Sequence, residues 1–82
     1  MPGQQPAVKM VPVDSEILES VGYVMSTRKL FVKFHGQPTQ CFENVPGFRY
    51  QGLLEAPRKD AYFKSFIKNR FLAKEVPPPP PA

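Results

Sequence analysis

The hydrophobic period of this chain changes once, and that change restricts the folds open to it. Across Lys29-Leu30-Phe31-Val32-Lys33-Phe34 apolar and charged residues alternate in the manner of a half-buried strand. Farther on, Phe63, Phe66, Ile67 and Phe71 recur at the spacing of one helix face. The switch falls at Val45-Pro46, and proline suits a helix start because its missing N–H has no intrahelical partner to satisfy there. A short β-meander followed by a helical half is the reading this pattern supports. Such a small fold offers more room for a binding face than for a catalytic cleft.

Length and residue usage narrow the class. The chain has 82 residues, and its proline-containing ends leave roughly 55–60 to fold, a size that buries only about 60% of its unfolded surface. Cys41 is the sole cysteine and His35 the sole histidine. An internal disulfide is therefore excluded, as is a multi-cysteine zinc site, and no metal or other cofactor is expected. No apolar run approaches the roughly 20 residues needed to span a bilayer. The start, Met1-Pro2-Gly3-Gln4-Gln5, lacks the charged and then apolar regions of a signal peptide. A soluble cytoplasmic protein without a membrane partner is expected.

The strand reading proceeds along the chain. Residues 1–13 carry Pro2, Pro6 and Pro12 and read as a flexible arm. Leu18 to Val24 is the first strand, with Gly22 marking a bulge or the close approach of another group. Lys29 to Phe34 is the second strand; Leu30, Val32 and Phe34 point to one face, and Lys29, Phe31 and Lys33 to the other. After a turn at His35-Gly36-Gln37-Pro38, Thr39 to Glu43 forms the third strand, anchored by Phe42.

Helices follow. Asn44 is the better of two capping candidates, ahead of Val45. A first helix over Gly47 to Ala56 carries Tyr50, Leu53 and Leu54 as its stripe, and Pro57 breaks it. A second runs from Arg58 or Lys59 to Asn69, with Phe63, Phe66 and Ile67 toward the sheet and Lys64 and Lys68 sharing the outer side. The predicted fold is α+β: a three-stranded antiparallel β-meander followed by two short helices packed on one face. The domain spans residues 14–72. Residues 73–82, with five consecutive prolines, form a stiff disordered tail or a polyproline ligand for an aromatic-lined groove.

Charge supplies the functional lead. The net charge is +4, and from Arg58 to Lys74 the bases Arg58, Lys59, Lys64, Lys68, Arg70 and Lys74 stand against Asp60 alone. Nucleic-acid binding needs cations to displace the phosphate counterion atmosphere and flat side chains on which bases stack. Lys29, Phe31 and Lys33 interleave both on one strand face. The opposing reading buries Phe31 under the N-terminal arm or a dimer partner. Arg58, Lys59, Lys64 and Lys68 form a second candidate patch or a plain solvated helix face. Arg70 reaches a phosphate past the helix end, or pairs with Glu19 or Glu43. Tyr23 reads as a core tyrosine with a satisfied hydroxyl, and Cys41 as an inert strand residue. Phosphate loops and nucleophile elbows are absent, so catalysis is not expected.

Taken in order, Val13-Asp14-Ser15, Gly22-Tyr23, Leu30-x-Val32-x-Phe34, Gly36, Phe42, Val45-Pro46, Leu53-Leu54-x-Ala56, Tyr62-Phe63 and Ile67-x-x-Arg70-Phe71 resemble the KTSC domain. That module is named for its occurrence at the C-terminus of some lysyl-tRNA synthetases, and it also forms small free-standing bacterial and phage proteins. The resemblance implies a nucleic-acid-binding role. Two departures stand out: Arg58-Lys59-Asp60 replaces a Ser-Lys-Gly-like turn, and Gln40 and Phe42 replace a Tyr-x-Tyr pair. Hydroxyl contacts at those positions are lost, while Lys59 keeps its charge. The leading expectation is a module for RNA or single-stranded nucleic acid. The rival is a protein-interaction module, acting through its tail or a sheet edge that pairs with a partner or a second copy.

Overall fold

The computed structural model describes residues 8–77. Its sheet has five strands, all antiparallel to their neighbours and ordered as they occur along the chain. These are β1 (Val11–Pro12), β2 (Leu18–Val24), β3 (Lys29–Phe34), β4 (Thr39–Phe42) and β5 (Ala73–Val76). Between β4 and β5 lie α1 (Gly47–Glu55) and α2 (Lys59–Phe66). The α+β class and the central meander follow the sequence pattern, but the sheet gains a strand at each edge.

Both added strands come from segments expected to be an arm and a tail. β1 is two residues long, and Pro12, which has no N–H to donate, is tolerated because it sits on an edge. In β5, Ala73-Lys74-Glu75-Val76 has no apolar alternation to reveal it. It forms because the chain leaving α2 returns beside β4, pairing Phe42 with Ala73 and Thr39 with Val76. The first and last parts of the expected arm and tail, residues 1–7 and 78–82, lie outside the described residues.

One core fills the space between sheet and helices. Leu18, Val21, Leu30, Val32 and Phe42 meet Val45, Leu53, Phe63 and Ile67 there, all fully or almost fully buried. Leu18 and Val21 are an odd number of residues apart, so regular alternation would send them to opposite faces. A register shift between Leu18 and Ser20 brings both to the core side. Phe63 sets its ring edge-on to Phe42 and Phe34, with centroids 5.4 and 5.5 Å apart, a geometry that favours aromatic pairs. Tyr23 stacks on Tyr50 at 5.1 Å and donates its hydroxyl to the Val45 carbonyl.

The other sheet face is covered as well. Val8 and Met10 lie over Phe31 and Cys41, with Val24 and Val76 beside them. Gly22 makes this possible. A Cβ there would fall 2.6 Å from Val8 Cγ1 and 2.7 Å from Met10 Sδ, so the glycine marks a close approach and not the bulge.

The helices depart from expectation at their ends. Asn44 is no cap: it adopts a left-handed φ of 59° to turn the chain, and Pro46 takes the N-cap position without a side-chain bond. α2 stops at Phe66, three residues early, where the N–H groups of both Ile67 and Lys68 converge on the Phe63 carbonyl. Phe66 does not face the sheet; its ring packs against Tyr62 and stays 36% exposed. Among the described residues no helix is long and apolar enough to cross a membrane.

Candidate nucleic-acid interface

The structure sorts the eight candidate residues by what each already does. Phe31, the proposed stacking ring of the sheet face, is only 2% exposed beneath Val8 and Met10. It offers no face to a base, because the arm covers it. Lys33 lies 3.8 Å from Glu19, which also approaches His35. Lys29 sits on the same covered face and pulls the Cys41 thiol pKa down, though burial dominates and raises it.

The turn between the helices is similarly occupied. Arg58 pairs with Asp60 at 3.8 Å, and Lys59 donates to the Ala56 carbonyl at 3.0 Å. Both line a cleft of about 370 Å³ whose wall also includes Asp14, Glu16 and Asp60. Three carboxylates against two cations leave little there to attract a phosphate. Arg70 takes neither expected route: its Nε donates to the Ser65 carbonyl at 3.1 Å. Glu43, one of its expected partners, pairs instead with Lys74.

Lys64 and Lys68 remain. Among the described residues neither makes an ion pair, and both line a cavity of about 440 Å³ between the sheet and α2. Ligand pockets in proteins fall in this size range. Phe34 and Phe42 from the sheet and Phe63 from α2 supply its aromatic wall. Gln37, Gln40 and Asn69 add amides, and Glu16 is the one acid among the described lining residues, where His35 also contributes. The two cations come together because α2 presents residues four apart on one flank. Lys68 keeps that placement although the helix ends two residues before it.

This chemistry suits a planar, polar, anionic ligand. Phe34, the partly exposed ring of the three, can stack on a flat face. Side-chain amides both donate and accept and so can read a base edge, and the ammonium groups suit phosphate.

A second aromatic group escaped the sequence reading. On the opposite flank of α2 the Arg49 guanidinium lies 5.1 Å from the centre of the Phe48 ring and 4.8 Å from that of Phe66. The available signal was Phe48, which falls outside the Tyr50-Leu53-Leu54 stripe of α1. Phe66 gave the opposite signal, since a helical wheel assigns it to the core.

Comparison with known proteins matches this architecture to a family. The family model described as the KTSC domain matches residues 14–71. Among solved structures, the crystal structure of a KTSC domain protein from Yersinia pestis aligns with a TM-score of 0.83 and 31% sequence identity, covering 85% of this chain and 99% of that one. No curated protein matches the chain. With a family match over most of its length and a solved relative of the same fold, this chain belongs to the KTSC domain family.

Proposed function

We propose that this chain is a small cytoplasmic module that binds RNA or single-stranded nucleic acid without catalysis, through the cavity between the sheet and α2. One observation carries the reading. The two α2-flank cations without ion pairs among the described residues, Lys64 and Lys68, meet at an aromatic-walled cavity that also holds three side-chain amides. The binding surface is thus not the strand face of Lys29, Phe31 and Lys33, whose ring is sealed. Phosphates neutralise the lysines, and an unpaired base enters the cavity against Phe34.

The magnitude follows from counterion release. Two phosphate contacts on a single strand give a slope of about −1.4 in log K against log salt, so raising salt from about 50 to about 200 mM weakens binding about sevenfold. Fluorescence anisotropy with labelled RNA and DNA single strands at those two salt levels tests this. No binding at the lower level, or binding indifferent to salt, refutes the proposal.

A protein-interaction role has one supporting observation: among the described residues β5 pairs only with β4 and forms an edge of the sheet. Lys74 and Glu75 on that strand are exposed charges, a device that discourages edge pairing. Sedimentation velocity separates the readings, because edge pairing of two copies doubles the mass without nucleic acid.

A further inference from the structure

Phe48 and Phe66 are the two exposed phenylalanines among the described residues. Phe31, Phe42 and Phe63 are at most 3% exposed, whereas Phe48 is 66% and Phe66 36% exposed. A guanidinium lies against both of the exposed rings. Arginine planes and aromatic rings are the surfaces on which unpaired bases stack.

The position of this group relative to the lysines matters as much as its composition. At helical spacing, Lys64 lies on one flank of α2 with Lys68 just beyond its end, while Tyr62 and Phe66 lie on the other. Ala61 and Ser65 fall between the flanks, and both are exposed. A chain crossing α2, over a width of about 10–12 Å, therefore meets the short side chains of Ala61 and Ser65, with the Arg70 guanidinium close by on the Ser65 carbonyl.

We infer that Phe48, Arg49 and Phe66 form a second base-stacking subsite for the same single strand whose phosphates rest on Lys64 and Lys68. The inference depends on the nucleic-acid reading above and deepens it by naming the ligand form. The ligand is a single strand of about four nucleotides or more, the lower end of known single-strand site sizes. A duplex does not fit, since its bases are already stacked and present no free face. Charge selects the occupant: Arg49 on one side and two lysines on the other complement a polyanion that crosses the helix.

The test compares adenosine monophosphate with adenylate tetranucleotide, titrated into the full chain and into Phe48→Ala. Tetranucleotide binding at least tenfold tighter than monophosphate is expected. Phe48→Ala should weaken the tetranucleotide about five- to 150-fold, the range for one stacked base, and leave the monophosphate unchanged. Phe48 is largely exposed, so the variant keeps its core, and Arg49→Gln gives an independent loss in the same direction. If both probes bind and Phe48→Ala changes neither, or changes both equally, the second subsite is refuted while the cavity reading stands. If neither probe binds at low salt, both readings fall. Self-association of the native chain that Phe48→Ala abolishes also refutes the subsite, by assigning the rings to a second copy.

Discussion

Replacing Gly22 with alanine tests whether the N-terminal segment is seated on the sheet as described. The new Cβ would lie 2.6 Å from Val8 Cγ1, 2.7 Å from Met10 Sδ and 3.1 Å from the Lys9 carbonyl oxygen. Something must yield, and the β2 backbone is fixed on one side by β3 and on the other by β1. The segment carrying Val8 and Met10 therefore lifts. Re-exposing Val8, now 2% exposed, forfeits about 1.5–3 kcal/mol of apolar burial. Backbone freedom regained by the released residues returns about 1 kcal/mol or more. The net expected loss is about 0.5–2 kcal/mol, overlapping the range for overpacked sites. Urea denaturation of four proteins measures it: the native chain, Gly22→Ala, Val8→Ala with Met10→Ala, and all three changes together. In the shaved background both side-chain collisions vanish. Gly22→Ala should then cost little, because only the 3.1 Å approach to the Lys9 carbonyl remains and the stiffer unfolded chain offsets it by about 0.4–1 kcal/mol. The predicted coupling is about 0.5–2 kcal/mol. An equal loss in both backgrounds would refute the packing argument.

Two further outcomes are expected. Tyr23→Phe keeps the stack on Tyr50 but deletes the bond to the Val45 carbonyl, so urea unfolding should show a loss of about 1 kcal/mol. Burial raises the Cys41 thiol above its ordinary value of 9.0 and the Tyr50 hydroxyl above 10.0. A raised folded pKa means that the unfolded chain releases its proton first, so stability is intact below those ordinary values and declines as pH rises past about 9. Urea midpoints at neutral and alkaline pH measure this, and Cys41→Ala should remove the onset near the thiol's range; an unchanged profile in that variant contradicts the assignment.

The central fold was legible because its elements carry period. β3 alternates, Phe63 and Ile67 keep helical spacing, and all of them occupy the core as the pattern implies. The edges were not, since two residues in β1 and a charged run in β5 contain no apolar rhythm; backbone pairing recruits them, with Val76 as the one side chain of β5 packed on the smaller cluster. Phe31 illustrates a different limit. Its strand fixes the face it points to, but only tertiary structure reveals that Val8 and Met10 cover that face. Phe66 misled for a related reason: the missing Cβ of Gly52 lets the Tyr62 hydroxyl press close to α1, and Phe66 packs beside Tyr62 at the margin, outside the core. For the site, the spacing of Lys64 and Lys68 was readable from one helix. Their cavity was not, because its walls come from β3, β4, β5, the turn after β3 and the segment before β2.

The family assignment carries no ligand with it, so the binding surface is the claim most in need of measurement. Salt dependence of single-strand binding, compared between Lys64→Gln with Lys68→Gln and Lys29→Gln with Lys33→Gln, addresses it most directly. The helix pair should weaken binding and flatten the slope by about 1.4, the release from two phosphate contacts, while the strand pair leaves the slope near that of the native chain. A slope flattened by the strand pair and untouched by the helix pair would contradict the cavity assignment and return the interface to the sheet.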